Sequence, residues 1–238
     1  MKKKIVLWIK KQLKDSGAKG IVLGLSGGID SALVAVLAKE AAGKKRVLAL
    51  ILPCQSQKED LKDARLVAKT LGIKTEQIGL SKIYNDLIKI LPKANNLALA
   101  NLKPRLRMAV LYYFANKLNY LVCGTGNKSE IMVGYFTKHG DGATDILPIG
   151  DLTKTQVRAL AKELGIPQRI ISRPPTAGLW PGQTDEGEMG ITYPELDDIL
   201  ERLKNKKRQV ASMAKVNKVK EMIKRSEHKR QGPKICYI

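Results

Sequence analysis

The residues with the clearest chemical potential form the stretch SGGIDS, residues 26–31, between two hydrophobic segments. Its adjacent glycines remove Cβ atoms, so backbone N–H groups can face an anion closely. Ser26 and Ser31 add hydroxyl donors, and the start of a following helix adds partial positive charge. Asp30 suits such a site only when a divalent cation such as Mg²⁺ bridges it to phosphate. The stretch therefore predicts a site for a nucleotide phosphate chain with Mg²⁺.

Two better-known glycine-rich phosphate loops do not fit this stretch. A Walker A loop needs Gly-Lys-Ser/Thr, and no lysine is present here. The dinucleotide fingerprint needs G-x-G-x-x-G, which the glycines at 24, 27 and 28 do not provide. A structural turn would explain a lone glycine pair, but the combination with serine and aspartate is more specific.

The elements that must position this stretch alternate between strands and helices. Short apolar runs predict strands, and longer amphipathic runs predict helices. The strands are IVLGL after Gly20, 46–53, 73–80 and 120–124, and the helices are 29–42, 57–71, 82–90 and 101–118, with Pro104 near the start of the last. This order predicts an α/β fold, a Rossmann-like parallel sheet with helices on both faces, and ligands at the carboxyl ends of its strands.

The second part of the chain is predicted to be helical. Helices are expected at 153–164, 194–203 and about 207–225, and the Pro- and Gly-rich segment 173–194 is typical of a lid or binding loop. The whole chain, 1–238, is expected to form one domain. Residues 20–170 are its nucleotide-binding core, and 171–238 are its lid loop and helical C-terminal extension.

The net charge of +21 indicates a polyanionic partner. Between Arg202 and Lys234 the sequence has thirteen Lys or Arg residues and two acidic residues. A solvated lysine-rich surface, typical of heat-adapted proteins, is the alternative. Aromatic residues are only 5% and are not interleaved with the basic runs, which argues against a surface that stacks bases.

Composition also excludes other classes of protein. No apolar run approaches the roughly 20 residues of a membrane helix, and the N-terminal MKKKIVLWIKKQ favours an amphipathic helix over a signal peptide. We therefore expect a cytoplasmic protein without a membrane partner. Cys54, Cys123 and Cys236 are too far apart to indicate a zinc site or a disulfide framework.

A family resemblance now becomes visible. SGGIDS resembles the pyrophosphate loop of the ATP-pyrophosphatase superfamily, whose adenine nucleotide alpha hydrolase-like members split ATP into AMP and pyrophosphate. Further segments resemble ammonia-dependent NAD synthetases: NLKPRLRM (101–108), VCGTGNKSE…GYFTKHGDG…LGIP (122–167), RPPTAGL (173–179), DEGEMGITYPELDDIL (185–200) and EHKRQGP (227–233). Together these segments cover most of the chain.

The resemblance implies a ligase that forms a C–N bond. It would amidate deamido-NAD to NAD with ATP, Mg²⁺ and free ammonia through an adenylated carboxylate, as the last step of NAD biosynthesis. About twenty residues precede the first strand, too few for a glutaminase domain. The resemblance also implies a homodimer, with some support from the apolar stretch LYYF (111–114), which is expected to be exposed, and it implies no nucleic-acid partner.

The resemblance assigns functions to particular residues of this sequence. Asp30 and Glu130 would hold Mg²⁺, and Asp30, Asp145 and Lys154 would be catalytic. ATP would contact Gly24, Leu25, Ser26, Gly27, Gly28, Ile29, Asp30, Ser31, Gln57, Thr125, Lys154 and Thr176. Deamido-NAD would contact Arg105, Lys138, Asp145, His228 and Lys229. Asp145 could contact a hydroxyl or nicotinate edge, or help receive protons from ammonia.

Some positions depart from the family pattern. Bacterial members have alanine at the position of Pro104 and tend to have arginine at the position of Ile51, and TGNKSE replaces their TDHAAE, as in the archaeal or thermophile-type branch. Two rival functions stay open. One is a tRNA-modifying member of the superfamily, and the other is a basic nucleic-acid-binding protein without catalysis.

Overall fold

A central parallel sheet organises the first part of the chain. The computed structural model of the chain describes residues 1–180, 182–205 and 212–236. Within them, four parallel strands lie in the order β3-β2-β1-β4, with β1 at Gly20–Gly24, β2 at Val47–Ile51, β3 at Lys74–Gln77 and β4 at Tyr120–Val122. The predicted Rossmann-like α/β fold is confirmed. The order turns back between β1 and β4, and such a switch point is where open α/β sheets bind ligands.

Twelve α-helices accompany the strands in the described residues. They are α1 (Lys2–Ser16), α2 (Ile29–Ala42), α3 (Lys58–Leu71), α4 (Ser81–Ile90), α5 (Asn96–Leu118), α6 (Lys128–Val133), α7 (Lys154–Glu163), α8 (Gln168–Ile171), α9 (Asp185–Met189), α10 (Tyr193–Asn205), α11 (Met213–Arg225) and α12 (Glu227–Arg230). No described helix combines the length and the apolar character that crossing a membrane requires.

Alternate residues of the central strands face two different cores. Leu23 and Ala49 pack with α1, α2 and α7 on one face, whereas Val22 and Leu48 pack with α4 and α5 on the other. Both faces are covered, so the strand sequences read as continuous apolar runs. A third core joins α6 with α9, α10 and α11 around the fully buried Tyr193 and Leu196. The helical C-terminal part therefore packs onto α6.

Several predicted boundaries were wrong. The helix predicted at 101–118 begins at Asn96, because the Asn95 side chain accepts a hydrogen bond from the N–H of Ala98 at 2.9 Å and caps it. Pro104 therefore lies inside this helix rather than near its start. The predicted loop 173–194 contains α9. The predicted helix 207–225 is described only as α11, since 207–211 lie outside the described residues.

The stretch LYYF is not an exposed apolar surface. Leu111 and Phe114 are buried in the core between α5 and the sheet, and only Tyr113 is largely exposed. The expected exposure of this stretch was wrong for Leu111 and Phe114, because the helix turns both side chains inward, and its place in a dimer surface stays a prediction.

Candidate active site

The turn after β1 is held together by its own serines. The Ser31 hydroxyl donates to the Gly28 carbonyl at 2.9 Å and accepts from the Ser26 N–H at 3.2 Å. The two hydroxyl oxygens are 3.1 Å apart, and Ser31 is buried. These bonds fix the backbone of the turn before any ligand arrives. We call residues 24–31 the phosphate loop.

The two glycines of the loop have different environments. Gly27 has φ +87°, and a Cβ there would lie 2.4 Å from the Asp60 carbonyl oxygen and 3.1 Å from the Asp63 Cβ. The start of α3 therefore packs directly against the loop. Gly28 has φ −83°, and the nearest atom to a Cβ there is the Ser26 Oγ at 3.4 Å. Gly27 is required by packing, while Gly28 leaves the cavity side of the loop open.

A buried lysine links two carboxylates beside this loop. The Lys154 Nζ lies 2.6 Å from Asp30 Oδ2 and 3.1 Å from Glu130 Oε1. These three residues stand in the first turns of α7, α2 and α6, so three helix N-termini converge here. A cation at a helix N-terminus is unfavourable alone, and the two carboxylates compensate for it.

Asn127 fixes the geometry of this cluster. Its side-chain oxygen accepts from the Glu130 N–H at 3.1 Å, and Glu130 Oε2 accepts from the Asn127 N–H at 3.2 Å. The Asn127 Nδ2 also donates to Asp30 Oδ1 at 3.0 Å, and the residue is fully buried. Sequence reasoning missed Asn127, although N-x-x-E before a helix is the spacing of a capping box.

Burial and neighbouring charge shift the pKa values of the cluster. Burial raises the pKa of Glu130, and Asp30 and Asp185 add to this, while Lys154 opposes it. Burial disfavours the charged form of Lys154, but Asp30 and Glu130 outweigh it and raise the Lys154 pKa. The charged form of Glu130 is therefore disfavoured by burial even with the lysine beside it.

The donor set suits Mg²⁺. Asp30 and Glu130 offer hard carboxylate oxygens, and Mg²⁺ in nucleotide sites is held by one or two carboxylates together with substrate phosphates and water. Among the described residues no three His, Cys, Asp or Glu side chains gather as a self-sufficient metal site. The pair thus fits a metal that arrives with phosphate ligands.

The C-terminal helices contribute two further side chains to the cluster. The Tyr193 hydroxyl donates to Asp185 Oδ2 at 3.0 Å and lies 3.4 Å from Glu130 Oε1. The Lys154 Nζ lies 4.9 Å from the centre of the Tyr193 ring, within the range of a cation–π contact. Sequence reasoning selected neither Asp185 nor Tyr193, because only tertiary packing brings them to α6 and α7.

A cavity of about 510 Å³ opens over the carboxyl ends of the strands. The predicted ATP residues in its wall are Gly24, Leu25, Ser26, Gly28, Ile29, Asp30, Ser31, Thr125, Lys154 and Thr176, and Glu130 joins them. Gly27 instead faces α3, and Gln57 precedes α3, where its N–H donates to Asp60 Oδ2 at 3.2 Å. Most of the predicted ATP set therefore shares one cavity.

Four of the predicted deamido-NAD residues form a connected group. The Arg105 guanidinium donates to the Lys138 carbonyl at 3.4 Å, and the Lys138 Nζ donates to the His228 carbonyl at 2.6 Å. Lys229 follows His228, and its Nζ donates to the carbonyls of residues 134 and 136 at 2.7 and 2.8 Å. Of these four, Lys229 lines the cavity.

Asp145 lies outside this hydrogen-bonded group. Its Oδ2 accepts from the Val122 N–H at 2.7 Å and its Oδ1 accepts from the Tyr112 hydroxyl at 3.0 Å. Burial, reinforced by Asp145, raises the pKa of Tyr112 to about 12, so the phenol remains a donor. Both oxygens of Asp145 are engaged in holding α5 to β4, and its catalytic role stays a prediction.

Two arginines in the cavity wall were not selected from the sequence. The Arg107 Nε donates to the Leu52 carbonyl at 3.0 Å, just beyond the buried Ile51. A guanidinium from α5 therefore stands near the carboxyl end of β2, close to Ile51. The other is Arg173, which forms ion pairs with Asp60 and Asp63 of α3.

Comparison with known proteins places this geometry in context. The sequence profile of the family described as NAD synthase matches residues 1–233. The chain is 49% identical over 97% of its length to the NH(3)-dependent NAD(+) synthetase of Archaeoglobus fulgidus and 48% identical over 98% to that of Carboxydothermus hydrogenoformans, covering 94% and 95% of those proteins. A solved structure of NMN synthetase from Francisella tularensis matches with a TM-score of 0.92 and 40% identity, covering 100% of this chain and 97% of that one.

Proposed function

The chain belongs to the NAD synthase family, and from this premise we propose that it amidates deamido-NAD to NAD with free ammonia and ATP. The observation that carries the proposal is the Asp30–Glu130–Lys154 cluster beside the phosphate loop. It combines donors for a phosphate chain, two carboxylates for Mg²⁺ and a buried cation in one cavity.

The chemistry explains why such a cluster is useful. Ammonia cannot displace oxide from a carboxylate, because oxide is a poor leaving group. In the proposed reaction a carboxylate oxygen attacks the α-phosphorus of ATP, pyrophosphate leaves, and ammonia then displaces AMP from the mixed anhydride. Most of the catalysis is electrostatic stabilisation of the phosphate charge.

Each group of residues has a role in this scheme. The backbone N–H groups of the phosphate loop and the Lys154 ammonium would bind the phosphates, and Thr176 would add a hydroxyl. Asp30 and Glu130 would hold Mg²⁺, which when bound supplies charge neutralisation on the phosphate oxygens. Asn127 keeps both carboxylates oriented through its three hydrogen bonds.

Free ammonia is the proposed nitrogen donor. Both relatives named above are described as NH(3)-dependent, and this chain covers 95% and 94% of their lengths. We expect the reaction to run in the cytoplasm, where ATP is available.

One observation supports a second candidate substrate. The Francisella tularensis protein, whose structure matches over the whole chain, is an NMN synthetase. The same amidation applied to the carboxylate of nicotinic acid mononucleotide would yield NMN. We favour the dinucleotide, because relatives that are 43–49% identical to this chain are described as NAD(+) synthetases.

One assay separates these functions. Pyrophosphate release is measured with ATP, Mg²⁺ and ammonium, adding deamido-NAD, nicotinic acid mononucleotide, tRNA or no acceptor in parallel. We expect release to depend on deamido-NAD, with a lower kcat/KM for the mononucleotide, and to stop when glutamine replaces ammonium. RNA-dependent release would instead support a tRNA-modifying enzyme.

A matched pair of variants links the assay to the site. Asp30→Asn should abolish turnover with the fold retained. Asp151→Asn is the control, because its side chain is 91% exposed and pairs with Lys128. Equal activity of the two variants would contradict the proposed site.

We also propose that two copies of the chain associate. Support comes from large apolar side chains that stand exposed on α4 and α5: Ile83 is 55%, Ile90 80%, Leu97 58% and Tyr113 60% exposed. Light scattering on the wild type and on Ile90→Glu tests this, and a wild-type monomer at micromolar concentration would contradict it.

A further inference from the structure

We propose that Arg173 binds the departing pyrophosphate, and that Asp60 and Asp63 hold its guanidinium beside the phosphate loop until nucleotide arrives. The inference rests on the proposed function and adds to it a residue that contacts the pyrophosphate product. It comes from three features: the position of Arg173, the engagement of the other cations, and the way its two partners are supported.

The position of Arg173 follows from its ion pairs. Its guanidinium pairs with Asp60 through one nitrogen and with Asp63 at 3.3 Å through another. The same two residues pack against Gly27, as the distances of 2.4 and 3.1 Å to its hypothetical Cβ indicate. Arg173 also lines the cavity together with Ser26, Gly28 and Thr176. The guanidinium therefore stands at the edge of the phosphate loop.

The other cations in the described cavity wall already have assignments. Lys154 stands between the two proposed Mg²⁺ ligands, where it would bind the phosphate chain, whereas Arg107 and Lys229 donate to backbone carbonyls. When the P–O bond breaks, pyrophosphate takes the electron pair and leaves with added negative charge. A planar guanidinium that can donate two parallel hydrogen bonds matches such a phosphate group.

The partners of Arg173 are arranged so that they can release it. Asp63 also pairs with Arg169, whose guanidinium nitrogen lies 2.5 Å from Asp63 Oδ1. Asp60 also accepts from the Gln57 N–H at the start of α3. If Arg173 turned to phosphate, Asp63 would keep its ion pair with Arg169, and the partly exposed Asp60 would keep the hydrogen bond from the Gln57 N–H, so neither carboxylate would be left without a partner.

The test compares four variants with the wild type. ATP KM and the dissociation constant of pyrophosphate are measured by kinetics and titration calorimetry, with melting temperature as the check on folding. Arg173→Ala should weaken pyrophosphate binding about 10- to 100-fold, the range expected for lost charge-assisted hydrogen bonds. Arg173→Lys should restore part of this. Arg169→Ala, which removes an ion pair to the same Asp63 from outside the cavity wall, should change it less than about twofold.

Asp63→Asn separates a binding role from a purely structural one. If the only role of Arg173 is to attach its own part of the chain to α3, neutralising Asp63 should weaken pyrophosphate binding as Arg173→Ala does. This result would overturn the inference. If Arg173 binds pyrophosphate, Asp63→Asn removes a competitor and binding should be unchanged or tighter. Asp60→Asn gives the same comparison if Asp63→Asn fails to fold.

The outcome for the wild type is read separately. A wild type that binds neither ATP nor pyrophosphate would overturn the proposed function itself. A wild type that binds both, with Arg173→Ala equal to it, would overturn only the assignment of Arg173.

Discussion

Replacing each loop glycine in turn by alanine tests the reasoning about the phosphate loop most directly. Gly27 and Gly28 are adjacent and chemically identical, yet the structure gives them opposite constraints. An alanine at 27 would need φ +87° and would bring its Cβ within 2.4 Å of the Asp60 carbonyl oxygen. An alanine at 28 would keep φ −83° and meet only the Ser26 Oγ at 3.4 Å.

The expected magnitudes follow from these two environments. A left-handed backbone conformation costs a residue with a Cβ about 1–2 kcal/mol, and the backbone shift that would separate the new Cβ from α3 adds to this cost. For a chain of this size that corresponds to a drop in melting temperature of at least about 2–8 °C for Gly27→Ala. For Gly28→Ala, reduced entropy of the unfolded chain favours alanine while the helix N-cap position favours glycine. We expect a net change within about 0.5 kcal/mol.

One variant should therefore lose mainly stability and the other mainly affinity for ATP. Gly28 lines the cavity, so its added methyl group should raise the KM for ATP with little change in melting temperature. Gly27→Ala should lose stability first, and activity as a consequence. Thermal unfolding and initial rates on the same preparations measure both. A Gly27→Ala protein as stable as the wild type, or a Gly28→Ala protein as unstable as Gly27→Ala, would refute this account of the loop.

Three further predictions concern the surrounding residues. Lys154→Met should lower the free energy of unfolding by about 3 kcal/mol, because it leaves two partly buried carboxylates uncompensated. Added Mg²⁺ should raise the melting temperature of this variant more than that of the wild type. Equal shifts in melting temperature would contradict the proposed metal ligands. Asp145→Asn should lower the free energy of unfolding by about 1–3 kcal/mol, because it weakens the hydrogen bonds that Asp145 accepts. A variant that unfolds at the wild-type melting temperature but has lost turnover would instead favour direct contact of Asp145 with substrate. His228→Ala should raise the KM for deamido-NAD without lowering the melting temperature, and an unchanged KM would remove this residue from the substrate site.

The sequence was sufficient for features set by local pattern. Alternating apolar runs predicted the parallel sheet, since burial on both faces leaves a continuous hydrophobic signature in strands such as 47–51. The phosphate loop was visible because SGGIDS carries its own hydrogen-bond partners within six residues. The early start of α5 could also have been read from Asn95, whose side chain caps the helix.

Contacts made by tertiary packing could not be predicted in the same way. Asp185 and Tyr193 reach the site from helices that pack on α6, and no local pattern specifies that docking. The C-terminal helix α12 also contacts α6. Arg230 donates to the carbonyls of Ile131 and Met132 at the end of α6, so deleting the C-terminal segment would disturb the helix that carries Glu130.

The charge of the cavity wall differs from the net charge of the protein. A net charge of +21 suggests a positively charged binding site, yet the described residues lining the cavity include six carboxylates and four cations: Asp30, Asp60, Glu130, Asp141, Asp185 and Glu188 against Arg107, Lys154, Arg173 and Lys229. The other lysines and arginines of the described residues lie outside the cavity wall, where they can attract polyanions over a distance. Inside, a phosphate chain is favoured only with its own cation or by displacing a carboxylate from an arginine or lysine. The cavity is therefore suited to a metal-bound nucleotide and disfavours a bare polyanion such as RNA.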